Sequence, residues 1–580
     1  MIQLNEQQRR AAEGIERSSL IISPGGCGKT AVVTAKIAEI QRRYPGKRIL
    51  ALSFTKKATA ELASRIKDRT NVTVLNLCQL FYRILRANGY GAYSVLTENR
   101  SRMTAMSFAI AEAKLTDKVT EQEALEALDR NDLTGNIKLV ADCYFNILKK
   151  QRLMDFNCMA YFCYGLLRNQ SAVARRIRNY FSFVLVDEAM DLNDIQFQII
   201  TTLFPASHNI TFVGDDRQSI FQFRGSRPGV LQAFREYYQA DVYELSVNYR
   251  SSPEIVAVAN TVAEGYTPMM ASLPSKGLSP IFQAASSVDK EADLVVSSIK
   301  ERLNEGYRLS DIAILYRSLF AVTNTIDALL REKIPFRKIG ACTEKWQRLP
   351  YSCLYNLLQL AVKPDDASWK KCAGYFGINE STFTETKKAA RKENVSVHDY
   401  LLQSPAVPED IKSRINSLFD SISDDAGIRK AVIAAWDEVL KPFFGVSDES
   451  ILEEYLTATE TYKTVSSLLD DIKQTRKRYA ELEKYLNRKD SDAVQVMSVH
   501  SAKGLQFPIV IIVGASDDIM PDSHDGSDIE GEERRIAYVS VSRAMDQLYV
   551  FCSIKTSRNK ETKPSRYFAG FFNKNDSGTH

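Results

Sequence analysis

Apolar residues along this chain fall into short runs separated by stretches of helical length and mixed polarity. Leu20-Ile21-Ile22 reads as a brief strand. It ends in Ser23-Pro24-Gly25-Gly26-Cys27, and Gly28-Lys29-Thr30 then opens a helix through Ala31-Val32-Val33. Ile49-Leu50-Ala51-Leu52-Ser53-Phe54 predicts a second strand, followed by Thr55-Lys56-Lys57 and a helix over 58–67. Phe183-Val184-Leu185-Val186 and Ile210-Thr211-Phe212-Val213 predict two more strands, and residues 4–17 a polar helix ahead of the first. Strands alternating with helices predict a parallel sheet covered on both faces.

Residues 76 to about 164 lose this rhythm, with few glycines and many Ala, Leu, Glu and Arg, and read as an inserted helical segment. The stretch 294–299 and Ile312-Ala313-Ile314-Leu315-Tyr316-Arg317 start a second α/β domain. Helical sequence interrupts it from roughly 366 to 487, including the basic run Lys473-Gln474-Thr475-Arg476-Lys477-Arg478, which suits a solvated helix face better than a duplex contact. The domain resumes with Ile509-Val510-Ile511-Ile512-Val513-Gly514, apolar without alternation, as a parallel strand covered on both faces requires. The expected fold class is therefore α/β, with two parallel-sheet domains each interrupted by a helical insertion. Residues 1–77 and 165–262 form the first around an insertion at 78–164; 263–365 and 488–580 form the second around an insertion at 366–487.

The 580 residues are too many for one core, and 44% apolar with 25% charged content is that of a soluble globular protein. The net charge of +5, from 76 basic and 71 acidic residues, is too small and diffuse to argue for a nucleic-acid partner; local grooves must do so. Nine cysteines without a CxxC suggest neither a zinc nor an iron–sulfur framework, and reduced thiols in a cytosolic protein are expected. Met1-Ile2-Gln3-Leu4-Asn5-Glu6 lacks the pattern of a signal peptide, and no run is long enough to span a bilayer. A cytoplasmic protein without membrane contact is expected.

The glycine-rich turn carries the clearest chemistry. Glycines let backbone N–H groups face a phosphate, the helix N-terminus adds positive potential, Lys29 neutralises β/γ-phosphates and the Thr30 hydroxyl reaches Mg²⁺. The general pattern asks for glycine where Ser23 stands, and a glycine turn feeding a buried helix is the competing reading. Asp187-Glu188 ends an apolar strand, where a phosphate-loop protein holds the metal (Asp187) and orients attacking water (Glu188). Gln8 has an amide suited to both edges of adenine. Phe221 and Phe223 beside Arg224 make a stacking platform next to a cation, suited to single-stranded bases, although an aromatic core pair fits equally. Phe54, Thr55 and Lys56 end a strand on the ligand-binding edge of such a sheet.

In order along the chain stand LNEQQ, SPGGCGKT, LSFTKKA, LVDEAMD, VGDDRQSIFQFRG, VNYRSS, VQVMSVHSAKGLQF and EERRIAYVSVSRA. This series closely resembles the UvrD/Rep family of superfamily 1A DNA helicases, over nearly the whole chain from residue 4 to about 551. The resemblance implies two RecA-like domains hydrolysing ATP with Mg²⁺ between them, and 3′→5′ movement along single-stranded DNA. It further implies contact with single-strand/duplex junctions and a role in DNA repair, recombination or phage defence. For the nucleotide it implies Gln8, Ser23, Pro24, Gly25, Gly26, Cys27, Gly28, Lys29, Thr30, Tyr249 (stacked on adenine), Arg250, Gln506 (at the ribose) and Arg543. Catalytic roles fall to Lys29, Asp187, Glu188, Gln218 (sensing the γ-phosphate), Arg250 and Arg543, and metal binding to Thr30 and Asp187. DNA contacts fall to Phe54, Thr55, Lys56, Phe221, Phe223, Arg224, Arg317 and His500.

Four departures stand out. The family's acidic signature reads Asp187-Glu188-Ala189-Met190-Asp191, its platform tryptophan is Phe223, its ribose glutamate is Gln506, and a DNA-touching threonine-phenylalanine-histidine is Asn76-Leu77-Cys78. None removes a group needed for hydrolysis, so an active motor with altered coupling is expected. An alternative is a nucleic-acid-responsive ATPase subunit regulating a partner nuclease in a defence or recombination complex. A P-loop metabolic kinase would need neither the aromatic–arginine platform nor the second arginine.

Overall fold

The computed structural model describes residues 3–130, 132–222, 225–339, 346, 350–405, 407–422, 427–444, 450–522, 529–556 and 560–572. Phe223 and Arg224 lie outside the described residues. The chain divides into two compact units: Met1–Pro280 with Ala502–Ile509 and Ser523–Leu548, and Ile281–Ser501 with Val510–Asp522 and Tyr549–His580.

The first unit is built on a six-stranded sheet in the order Val72–Asn76, Ile49–Ser53, Phe183–Asp187, Asn209–Gly214, Ser19–Ile22, Asp241–Glu244. Every neighbouring pair in it is parallel. Four of its strands are the apolar runs of the sequence, and Ile49–Ser53 is buried along its whole length; the two edge strands, Val72–Asn76 and Asp241–Glu244, carry no such run and escaped the sequence reading. Parallel ladders covered by helices on both faces leave their strands no wet side, which is why these runs do not alternate. The order places the glycine-rich turn after Ile22 and the acids after Val186 on one edge, at the C-terminal ends of strands where ligands bind in such sheets.

The helix after the glycine turn is Lys29–Arg43, and the one expected over 58–67 runs Lys56–Arg65, with Thr55 as its N-cap. The N-terminal helix is shorter than 4–17: Glu6–Glu13, started by an Asn5/Gln8 capping box. The buried Lys36 donates to the carbonyls of Ala11 (3.0 Å) and Gly14, tying that helix to Lys29–Arg43.

The insertion after Asn76 is helical, as its composition suggests, but it also holds two two-residue strands, Ser94–Val95 and Leu153–Met154, paired in parallel. Helices continue past 164 through Ser171–Tyr180. Its buried residues join those of the sheet in one continuous core. Arg102 there bridges Asp155 (3.0 Å) and Asp129 (2.8 Å), so the buried Asp155 carboxylate is compensated.

The second sheet runs Ile281–Ala285, Ala544–Ser553, Phe507–Val513, Ile312–Tyr316, Val494–Ser498, Phe336–Ile339. The stretch 294–299 lies in a helix, Val288–Asn304. A separate helical cluster draws on Trp346, Tyr351–Val362 and residues up to Ile472, so helix packing begins ahead of 366. Among the described residues no helix is long and apolar enough to cross a membrane.

Candidate nucleotide and nucleic-acid site

A cavity of about 550 Å³ in the first unit gathers most residues that the motifs single out: the glycine turn, Thr30, Thr55, Asp187, Glu188, Gln218, Tyr249, Arg250, Gln506 and Arg543. Gly28, the N-cap of Lys29–Arg43, has φ +85°, a conformation that costs an L side chain about 1–2 kcal/mol. Gly26 is held to glycine twice over. Its φ is also +85°, and a Cβ there would stand 2.7 Å from Asn248 Nδ2. Asn248 donates to the Gly25 carbonyl (2.9 Å), and the Tyr249 amide donates to that of Gly26 (2.9 Å).

Lys29 Nζ lies 2.6 Å from Glu188 Oε1, both largely buried. Burial pushes the Lys29 pKa down, but Glu188 and Asp187 outweigh it and the net direction is up. Burial likewise works against the Glu188 carboxylate, yet Lys29 and Lys503 hold its pKa below the ordinary value. Asp187 goes the other way: burial, with the Glu188 charge adding to it, pushes it up to about 6 against the pull of Lys29. Two adjacent acids thus have pKa values driven apart, the arrangement that assigns different roles to each. Glu188 sits in the left-handed region at φ +55° and its buried Oε2 has no hydrogen-bond partner. Strain of this kind is held in place only by surrounding structure and clusters at functional sites. A hard oxygen set of Thr30 hydroxyl and Asp187 carboxylate, with an acid that a nearby dication would ionise, fits Mg²⁺. Among the described residues no group of three or more His, Cys, Asp or Glu forms a further metal site.

Gln218 joins the acids to the arginines. Its Nε2 donates to Asp215 Oδ2 (2.8 Å) and its Oε1 accepts from Arg543 Nη2 (3.3 Å). Arg543 is 1% exposed and donates further to the Leu505 and Val539 carbonyls. Burial and the neighbouring Arg250 guanidinium bring its pKa down to about 9, so it stays charged at pH 7. Arg250 is lowered too, by burial, and bonds Gln506 Oε1 (2.8 Å) and the Ser542 carbonyl (2.9 Å). Two crowded, desolvated guanidiniums are what an incoming polyphosphate would relieve. Although the sequence assigns Gln506 and Arg543 to the second domain, both pack in the same compact unit as the glycine turn.

Gln8 is buried, its Nε2 donating to the Cys27 carbonyl (3.1 Å) and its Oε1 accepting from the Asn5 amide (3.1 Å). Its amide therefore braces the glycine turn from behind. Tyr249 is half exposed and accepts from Asn5 Nδ2 (2.7 Å), which leaves its ring face open. Ser23 is fully buried with an unpartnered hydroxyl, and Met190 is core: its sulfur would meet a Cβ on Gly214 at 3.3 Å.

Of the residues that the resemblance assigns to DNA, Phe54 and Phe221 stack at 6.1 Å between centroids, with Phe221 9% exposed. Lys56 is exposed beside them, and Thr55 caps the helix that begins there. Asn76 and Gln79 form a capping box for Leu77–Arg86, so the first residue of the Asn76-Leu77-Cys78 departure serves as a helix cap. In the second unit, Arg317 pairs with Asp522 at 3.7 Å, and His500 follows the strand Val494–Ser498.

Sequence models for two families match the chain: the UvrD/REP helicase N-terminal domain over residues 4–92 and 83–239, and the UvrD-like helicase C-terminal domain over 243–490 and 446–555. The chain belongs to the UvrD/Rep helicase family. Among relatives of this UvrD/Rep-type helicase, the DNA helicase II of Escherichia coli is 27% identical, over 97% of this chain and 86% of its own length. The ATP-dependent DNA helicase PcrA of Leuconostoc citreum is 26% identical over 98% and 84%, and a probable DNA helicase II homolog of Mycoplasma capricolum 25% identical over 97% and 86%.

Several residues of the site escaped the motif reading. Lys503, inside the SAKGLQF motif, contacts Asp191 at 2.6 and 2.7 Å, and burial raises the Asp191 pKa to about 6 against that pull. Asp215, in the VGDD motif, holds both Gln218 and Arg217 Nε (2.7 Å). Tyr538 is buried beside the glycine turn, 3.9 Å from Met269 Sδ through its hydroxyl. Each lies within a quoted motif, but spacing alone does not tell which residues meet across such sequence distances.

Proposed function

We propose that this protein is an ATP-dependent DNA helicase and single-stranded DNA translocase moving 3′→5′, acting in the cytoplasm in DNA repair, recombination or phage defence. The observation carrying this reading is the convergence of Lys29, Asp187, Glu188, Gln218, Arg250 and Arg543 on one cavity. The glycine turn and Lys29 would hold the β/γ-phosphates, with Mg²⁺ on Thr30 and Asp187 supplying charge neutralisation to the phosphates. Glu188 Oε2 takes the proton of the attacking water as its oxygen bonds the γ-phosphorus and the bond to the β-phosphate oxygen breaks. Arg250 and Arg543 offset the charge gathering on the transferred phosphoryl group. Tyr249 stacks on the adenine and Gln506 takes the ribose, while Gln8, whose amide is held by Cys27 and Asn5, supports the turn beneath the nucleotide.

Bases of the single strand stack at Phe54 and Phe221, with Thr55 and Lys56 on the phosphates; Phe223 and Arg224, of the same motif as Phe221, are further DNA contacts. Arg317 and His500 are DNA contacts of the second unit, and the helical insertions meet duplex at junctions or a protein partner. The test is ATP hydrolysis without nucleic acid, then with single-stranded DNA, duplex DNA and RNA, with Lys29→Ala as control. Strong stimulation by single-stranded DNA is expected, followed by unwinding of 3′-tailed duplexes in preference to 5′-tailed ones. Unwinding of 5′-tailed duplexes only overturns the direction. Hydrolysis unmoved by every nucleic acid overturns the motor and favours the ATPase subunit that regulates a nuclease.

A further inference from the structure

Three amide side chains stand at the start of the N-terminal helix: Asn5, Gln7 and Gln8. Each is bonded at both ends of its amide. Asn5 Oδ1 accepts from the Gln8 amide (2.8 Å), and Asn5 Nδ2 donates to the Tyr249 hydroxyl (2.7 Å). Gln7 Nε2 donates to Ser246 Oγ (3.0 Å), and Gln7 Oε1 accepts from the Ser246 amide (3.1 Å). Gln8 is committed to the Cys27 carbonyl and the Asn5 amide, and its Nε2 fills the space that a Cβ on Gly28 would need. None of the three lines the nucleotide cavity. Among the described residues that do, the amides are Gln218, held by Asp215 and Arg543, and Gln506, whose Oε1 takes Arg250.

Tyr249 is different. It lines the cavity and is 41% exposed, its backbone amide tied to the Gly26 carbonyl (2.9 Å) and its hydroxyl to Asn5. An aromatic face held in this way accepts any base, because every base has a π-face. We propose that this site selects the triphosphate and stacks the base on Tyr249 without reading its edge, so that it hydrolyses nucleoside triphosphates whatever their base. This rests on the helicase reading above and names the substrate class of its nucleotide site. Adenine carries a donor where guanine carries an acceptor, so only an edge-reading group separates the two. For Gln8 to be that group, its amide must turn away from the Cys27 carbonyl and the Asn5 amide. That move strands two polar groups and takes the brace from under the glycine turn. A site built on hydrogen bonds to its substrate rejects the wrong partner by about ten-thousandfold or more, whereas a stacking face separates purines far less.

The test measures kcat/KM for ATP, GTP, CTP and UTP with oligo-dT present, in wild type, Gln8→Ala, Tyr249→Ala and Lys29→Ala. In wild type, GTP should fall within about tenfold of ATP, and CTP and UTP within about a hundredfold, since a pyrimidine covers less of the Tyr249 ring. Gln8→Ala should lower the values for ATP and GTP by the same factor, because a brace under the turn serves both. Tyr249→Ala should lower all four, and Lys29→Ala should abolish all four. A wild-type preference for ATP beyond these limits overturns the base tolerance, as does a Gln8→Ala loss confined to ATP. GTP hydrolysis that survives Lys29→Ala overturns it too, since that activity arises elsewhere. Should Gln8→Ala fail to fold, the wild-type ratios decide. No hydrolysis of any nucleotide overturns the helicase reading itself; hydrolysis of ATP alone leaves that reading standing and removes only the tolerance for other bases.

Discussion

Lys29 Nζ sits 2.6 Å from Glu188 Oε1, so the cation that follows the glycine turn and the acid that follows the strand Phe183–Asp187 neutralise each other across the pocket. A γ-phosphate arriving between them competes for Lys29 and frees Glu188 to accept a proton. Glu188→Gln keeps the shape and loses the base. It should lower kcat by a factor of about 100 to 10,000, the usual contribution of a positioned base, with little change in ATP binding. Steady-state hydrolysis paired with nucleotide-binding measurements checks this; near-normal kcat would remove Glu188 from the mechanism.

Arg543 is buried beside Arg250, with Gln218 and two backbone carbonyls as its partners. Arg543→Ala should lower the DNA-stimulated rate by about a thousandfold or more, as for arginines that stabilise a transferred phosphoryl group. Arg543→Lys should recover little, because one ammonium cannot reproduce the bonds of a planar fork. Single-turnover hydrolysis separates this from slow product release.

Burial raises Asp187 and Asp191 to about 6, well above an ordinary carboxyl. Their protonated forms are therefore favoured by folding, and the native state binds more protons than the unfolded chain between about pH 4 and 6. Stability from this pair should fall as pH rises through that window and level off above it. Activity runs opposite, since Asp187 must be ionised to hold a metal: hydrolysis should climb from pH 5 to 7. Raising Mg²⁺ should move the climb to lower pH, which rate–pH profiles at two Mg²⁺ concentrations detect. An acid limb indifferent to Mg²⁺ would speak against Asp187 as a ligand.

Gly26 combines a φ of +85° with a wall formed by Asn248 and Arg250. Gly26→Ala should cost about 1–2 kcal/mol in backbone strain alone. It should also displace Asn248 from the Gly25 carbonyl. Thermal melting with and without ATP reads both effects: the variant should melt earlier and lose most of the stabilisation that nucleotide gives the wild type.

The sequence by itself determined most strands of the first sheet and many of the residues that meet around its cavity. Apolar runs without alternation fit covered parallel strands, although the one at 294–299 lies in a helix, and a glycine turn between strand and helix demands the positive φ that Gly26 and Gly28 show. Paired acids at a strand end, Asp187 and Glu188, were legible for the same local reason. Local pattern also missed local detail: two short strands inside the first insertion, and a helical cluster drawing in Tyr351–Val362. Tertiary structure alone decided which distant residues meet. Lys503 reaches Asp191 across 312 positions, Arg543 reaches Gln218 across 325, and Glu532 reaches Gln222 across 310. Hydrophobic periodicity specifies which face of a segment is buried, but not the partner that burial brings to it. Those long-range polar contacts come from chain topology, and they oppose the upward push of burial on Asp191, hold the buried Arg543 and fix the loop that carries Phe221.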